Sequence, residues 1–251
     1  MPRKARKKAE SGIYHVMLRG IDRQLIFEDA EDYLRFLDIV QQCHEICDFK
    51  LYAYCLMGNH VHLLLKVQND GLETIFKRIG GRYVYYYNVK YQRVGHLFQD
   101  RFKSEPVDDD AYFLTVLRYI HQNPVKAKLC SKVEDYPFSS FMEYLHESTF
   151  VDTEFALSMI ECSEFVRFNN TPNTDTCMEY MTPTRRAVTD TQAQVMIEKI
   201  SHCKTLTEFQ GLDEKKKQYF IKKIYDKGVS VRQLSRLTGT SKGKVERILK
   251  Q

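Results

Sequence analysis

At 251 residues, 43% of them hydrophobic, the chain is long enough for one large domain or for a main domain with a small companion. Its formal net charge is a modest +5, and no apolar run is long enough to span a bilayer. That composition excludes a membrane-spanning protein. The basic start is not followed by an apolar leader segment either, so a cytoplasmic location with no membrane partner is expected.

The elements follow in chain order. Ile13 to Arg19 reads as a strand ended by Gly20. Asp29 caps an amphipathic helix running to Cys47, with Tyr33, Phe36, Leu37, Ile39 and Val40 at helical spacing. Phe49 to Met57 is a second strand, Gly58-Asn59 a hairpin turn, and His60 to Lys66 a third strand. Leu72 to Tyr91 reads as a helix carrying Tyr83, Tyr85, Tyr86, Tyr87 and Tyr91, with a kink expected at Gly80-Gly81. Leu97 to Val107 is a fourth strand or two short pieces of one. The acidic run Asp108-Asp109-Asp110 caps a further helix to about Gln122, whose end Asn123-Pro124 should disturb.

This order is β-α-β-β-α-β plus one helix. It predicts an α+β, ferredoxin-like antiparallel sheet with helices on one face and an added helix across the other. The strand containing His60 and His62 falls near the sheet centre. Beyond residue 150 the texture turns polar, notably at Asn169 to Thr176 and Pro183 to Asp190. Three regions are therefore expected: a main domain at 1–150, a helical extension and linker at 151–205, and a small all-α domain at 206–251.

That last region reads as a helix-turn-helix. Asp213 to Lys227 is one helix, Ser230 caps a short helix to Leu237, Gly239-Thr240 turns, and Ser241 caps a final helix to Lys250. Lys242, Lys244 and Arg247 would lie on a recognition helix offered to duplex DNA, in a segment where basic residues far outnumber acids. Arg3, Lys4, Arg6, Lys7 and Lys8 make the other end basic as well, so a polyanionic partner is expected. A small helical bundle for self-association would show similar spacing.

Seven cysteines, odd in number and without a CxxC pair, read as reduced thiols. Cys43-His44 with Cys47 sits within one helix and lacks a second ligand pair, so zinc is not expected there.

Two features carry chemistry. In Gly58-Asn-His60-Val-His62-Leu-Leu, the period of two puts both imidazoles on one face of a strand. Such a pair can grip a divalent cation, although spacing alone fits a solvated strand face better. Tyr119 and Asn123 stand four residues apart on the added helix, one turn along one face. From there a phenol and an amide could both reach a site on the sheet.

The blocks Ile13-Tyr-His-Val-Met-Leu-Arg-Gly, Gly58-Asn-His-Val-His-Leu-Leu, Gly95-His-Leu-Phe-Gln-Asp-Arg-Phe-Lys and Arg118-Tyr-Ile-His-Gln-Asn-Pro-Val-Lys-Ala, in this order, resemble the HUH single-tyrosine transposases, closest to their REP-associated branch. The resemblance covers roughly residues 10 to 150. It implies a nuclease that nicks and rejoins single-stranded DNA carrying hairpins through a 5′-phosphotyrosine link. His60 and His62 take the place of the paired histidines, Tyr119 that of the nucleophile, and Asn123 that of the polar residue completing a Mg²⁺ or Mn²⁺ site. Arg19, Lys77, Arg82, Arg101 and Lys103 are candidate DNA contacts, and the tyrosines candidate stacking platforms. The C-terminal domain lies outside the resemblance, and the sequence fits a monomer or a homodimer. Two other classes fit the sequence: a regulator that binds DNA without cutting it, and a hydrolase whose nucleophile is water.

Overall fold

The computed structural model describes residues 6–146, 148, 150–178, 188, 190–203 and 205–250. Arg3 and Lys4 of the basic start, and most of 183–190, lie outside the described residues. Strands β1 (Ile13–Arg19), β2 (Phe49–Met57), β3 (His60–Val67) and β4 (Lys103–Pro106) form one antiparallel sheet in the order β2-β3-β1-β4. The Gly58-Asn59 turn joins β2 to β3 as expected, and β3 sits inside the sheet between β2 and β1. The fourth strand is shorter than the expected Leu97 to Val107. Its early part contributes only an isolated pairing of Phe98 with Gly20.

Helix α1 (Ala30–Cys47) starts where the Asp29 side chain accepts the Asp32 N–H, and it buries Phe36, Ile39, Val40, Cys43 and Cys47. Helix α2 (Leu72–Lys90) packs on α1, and the two back the sheet face that presents Val16, Leu18, Val61, Leu63 and Leu65. The expected kink at Gly80-Gly81 is absent, and α2 is one unbroken helix. Each mid-helix glycine costs about 1 kcal/mol. Burying Ile75, Phe76, Ile79, Tyr83 and Tyr87 returns roughly 1.5–3 kcal/mol per large side chain, so packing wins.

Helix α3 (Asp110–Lys126) lies on the opposite, histidine-bearing face, capped by the Asp109 side chain accepting the Tyr112 N–H. It runs past Asn123-Pro124, where an end was expected, because Pro124 is itself buried and holds the last turn in the core.

The chain divides into two units, Met1–Glu179 and Tyr180–Gln251, with the division inside the expected 151–205 region. Helices α4 (Glu154–Leu157) and α5 (Cys162–Asn170) join the first unit, where Ala156 and Phe165 are wholly buried in its core. Polar Asn169 misled the reading of this stretch. It is fully buried, and its Oδ1 and backbone carbonyl meet His121 and Gln122 of α3.

The second unit holds α6 (Asp190–Ser201), α7 (Leu206–Gln210), α8 (Glu214–Asp226), α9 (Val231–Thr238) and α10 (Lys242–Lys250) around a core including Ile221, Ile224, Leu234, Val245 and Ile248. The three expected helices α8 to α10 form within one or two residues of their expected ends. Ser230 and Gln233 make a reciprocal capping box at α9. Gly239 ends α9 in the left-handed region at φ +66, a conformation that strains most side chains and favours glycine in the turn between α9 and α10. Among the described residues no helix is long and apolar enough to cross a membrane.

Candidate active site

Cross-strand register builds the site. On the α3 side of the sheet, Arg19 pairs with His60, Met17 with both His62 and Lys103, and His15 with both Leu64 and Glu105. The two imidazoles of β3 do share one face, with ring centroids 5.1 Å apart. Helix α3 lays Tyr119 over them: its ring centroid is 5.8 Å from that of His62 and 6.0 Å from that of His15. His62 and Tyr119 are 1% and 2% exposed, so this is an interior cluster rather than a solvated strand face.

The ring nitrogens are distributed to a purpose. His60 Nδ1 lies 2.6 Å from Asn59 Oδ1, and His62 Nδ1 lies 2.8 Å from His15 Nε2. Both β3 histidines thus spend Nδ1 on the protein and keep Nε2 for another ligand. Asn123 donates its Nδ2 to the Tyr119 carbonyl at 3.0 Å, which leaves its Oδ1 as the atom able to hold a cation. Among the described residues no three His, Cys, Asp or Glu side chains converge as a metal cluster. Two imidazoles and one neutral amide oxygen are the donor types that His60, His62 and Asn123 offer.

Electrostatics keeps the rings neutral. Burial, helped by the Arg19 guanidinium, pulls the His60 pKa down to about 4. Burial also holds His62 well below the ordinary histidine range, with His15 and His60 adding to it. A neutral imidazole with a free lone pair is the form that binds metal. Burial pushes the Glu105 carboxyl up, but the His15 ring, the Met178 N–H and Tyr112 outweigh it, and the net shift is down. Lys103 is lowered by burial and by Arg19.

The expected DNA contacts fall into separate groups. Arg19 and Lys103 stand beside the histidine pair in the register. Lys77 and Arg82 lie on α2, lining a surface cavity of about 530 Å³ with Thr74, Arg78 and Gly81, on the α1–α2 side of the sheet. Arg101 is 3.8 Å from Glu73 at the start of α2 and does not join the pair. Lys242, Lys244 and Arg247 are exposed on α10 in the second unit, with Lys244 2.7 Å from Glu214.

Most of the tyrosines near Tyr85 are structural. Tyr83 and Tyr87 donate to the backbone carbonyls of Ile26 and Leu25, and Tyr86 and Tyr91 donate to the buried Asp32. Tyr85 alone is open, at 75% exposed.

Sequence reading missed His15 and Glu105. His15 Nδ1 is 2.7 Å from Glu105 Oε1, and the Met178 N–H donates to the same oxygen at 3.0 Å. Met178 ends a segment that runs along α3. There Asp175 pairs with Arg118, and Asn173 and Asp175 engage Lys126, whose Nζ is 4.8 Å from the Tyr119 ring centroid.

Buried neutral histidines make stability depend on pH. His121, bonded to Asn169 and Ser140, is lowered by burial to about 4, against a smaller opposing effect of Asn169. Unfolded, it takes a proton below about 6.5, whereas folded it stays neutral to about 4. Between those values the unfolded state binds more protons, so stability is full above about 6.5 and falls with pH through the window, by about 3 kcal/mol for this ring. His60 and His62 act in the same direction. Urea unfolding of the first unit at pH 7 and pH 4.5 should show a clearly lower midpoint at the acid value; equal midpoints would mean the rings are charged in the fold.

Residues 8–123 match the family described as Transposase IS200 like, a span that runs from before β1 to Asn123. A Haemophilus influenzae protein assigned as a REP-associated tyrosine transposase is 30% identical over 145 residues, which cover 53% of this chain and 81% of that protein. A solved structure of a REP-associated tyrosine transposase bound to a REP hairpin aligns with a TM-score of 0.53 at 15% identity, over 71% of this chain and 96% of that one. At that identity the likeness bears on the fold.

Proposed function

We infer that this chain, which belongs to the REP-associated tyrosine transposases of the IS200-like family, cleaves and rejoins single-stranded DNA through Tyr119. The observation that carries the reading is the meeting of Tyr119 with the His60–His62 pair in the interior between α3 and the sheet. A phenol, two metal-type imidazoles and two cations on one face suit attack on a phosphodiester.

The Tyr119 oxygen attacks phosphorus, an O–P bond forms, and the bond from phosphorus to the DNA 3′-oxygen breaks. The phenol gives up its proton, and the departing oxygen gains one to become a 3′-hydroxyl. The product is a 5′-phosphotyrosine, and attack by another 3′-hydroxyl reverses the step with no energy source. His60 and His62, with Asn123, would hold Mg²⁺ or Mn²⁺, which when bound offsets phosphate charge and orients the group. Arg19 and Lys103 supply fixed positive charge beside that position. Because Tyr119 is 2% exposed, a phosphate reaches it only after the Lys126 ammonium or the ring itself moves aside.

The substrate is single-stranded DNA flanked by a hairpin. Support comes from the hairpin bound by the structural relative and from the basic, tyrosine-bearing face of α2 at Lys77, Arg78, Arg82 and Tyr85. The test incubates the full chain with labelled hairpin oligonucleotides and Mn²⁺ and looks for a species that survives denaturant. Cleavage without that adduct would assign the reaction to water, and duplex binding without cleavage would make the protein a regulator.

A second binding activity is assigned to the C-terminal unit. The exposure of Lys242 and Arg247 on the helix that follows the Gly239 turn supports binding in the major groove of duplex DNA. The Lys242→Ala, Arg247→Ala double variant should lose about tenfold in duplex affinity by gel shift and flatten its salt dependence. Hairpin cleavage should be unchanged; an unaltered duplex affinity would make this unit an association module instead.

A further inference from the structure

Three side chains on three neighbouring strands form a continuous line: Glu105 on β4, His15 on β1 and His62 on β3. The two links measure 2.7 Å from Glu105 Oε1 to His15 Nδ1 and 2.8 Å from His15 Nε2 to His62 Nδ1. His15 is wholly buried and His62 is 1% exposed, so water does not substitute for either partner. The line has a direction. A carboxylate accepts hydrogen bonds and does not donate them, so His15 Nδ1 carries the hydrogen. In its neutral form His15 has a single N–H, the one given to Glu105, so its Nε2 is then the acceptor of the pair with His62. His62 Nδ1 must then be the donor, and His62 Nε2 is left as a bare lone pair on the site side.

We propose that Glu105 and His15 are positioning residues that fix His62 in its Nδ1–H tautomer and ring orientation, so that Nε2 is presented to a divalent cation before any cation arrives. Glu105 is itself held, since the Met178 N–H donates to it at 3.0 Å. The neighbouring ligand shows the same logic by a shorter route. Asn59 Nδ2 donates to the Arg23 carbonyl, which turns Asn59 Oδ1 toward His60 Nδ1 at 2.6 Å. Both rings are thereby set to the same tautomer, one by an adjacent amide and the other by a carboxylate two strands away. Partners behind a ligating histidine that settle its tautomer are worth roughly ten- to a hundredfold in metal affinity.

The inference rests on the reading of His60 and His62 as metal ligands, and two measurements keep the two apart. Long-range ¹H–¹⁵N correlation on the metal-free full chain reports the tautomer of His62 directly. The expected result is a protonated Nδ1 and a bare Nε2; a proton on Nε2 in the wild type overturns the proposal, and no variant is needed to see it. Calorimetric titration with Mn²⁺ is the second arm. Glu105→Gln and His15→Phe should each mix the His62 tautomers and raise the Mn²⁺ dissociation constant by about ten- to a hundredfold. A purely structural role would lower melting temperature while leaving tautomer and affinity alone, and that pattern overturns the proposal. A wild-type protein that binds no Mn²⁺ overturns the metal reading, and with it the purpose given to the line, whatever tautomer is seen.

Discussion

Tyr119→Phe is expected to abolish the covalent protein–DNA adduct and to cut strand cleavage by about three orders of magnitude or more, since it removes the oxygen proposed to form the new bond to phosphorus. The substitution deletes one oxygen from a ring that stays packed against His62 and His15, so the first unit should keep its fold and the change isolates chemistry. The tyrosines at 83–91 offer no substitute. Tyr83, Tyr86, Tyr87 and Tyr91 have their hydroxyls engaged around residues 25–32. Tyr85 is exposed but lies on α2, on the helical side of the sheet. Tyr85→Phe should therefore leave the adduct intact. Adduct formation by Tyr119→Phe at the wild-type level, read on a denaturing gel, would sink the assignment and move the search to Tyr85.

Much of this site was legible from spacing. A period of two placed both imidazoles of β3 on one face, and a one-turn interval placed Tyr119 and Asn123 together on α3. Those are local regularities, fixed by backbone geometry alone. His15 and Glu105 escaped because their part depends on register between strands 47 and 90 residues apart in sequence. A trace was there: His15, Met17 and Arg19 alternate along β1, so two polar groups face inward on a strand buried in the sheet centre. Inward polar groups on a central strand call for partners, and that signal was passed over. The division between the two units falls later than the change of texture near residue 150 for a related reason. Asparagines and threonines at 169–176 look like linker, yet Asn169, Thr171 and Asn173 are spent on His121, Gln122 and Lys126 of α3. Polar composition marks a solvated loop only when the polar atoms lack buried partners, and single-sequence reading does not reveal partners.

Removing either β3 histidine should eliminate measurable Mn²⁺ binding and reduce cleavage by about a hundredfold or more, but the two variants should differ in what else they lose. His60 is partly exposed, and its Nδ1 bonds its neighbour Asn59, whose Nδ2 keeps its own bond to the Arg23 carbonyl. His60→Ala therefore removes a ring less enclosed than His62 and should cost less stability than His62→Ala. His62 is different, because it is buried and is the partner of His15 Nε2. His62→Ala leaves that nitrogen facing a dry cavity, which should cost roughly 1–3 kcal/mol for the orphaned group and more for the lost packing. The clean comparison is thus His60→Ala: Mn²⁺ titration, hairpin affinity and urea unfolding measured on one preparation. Loss of metal binding and cleavage with hairpin affinity within about twofold assigns His60 to the metal and not to the DNA. If hairpin affinity collapses with cleavage while Mn²⁺ still binds, the imidazole contacts phosphate directly, and the cation must be held by other atoms on the α3 face.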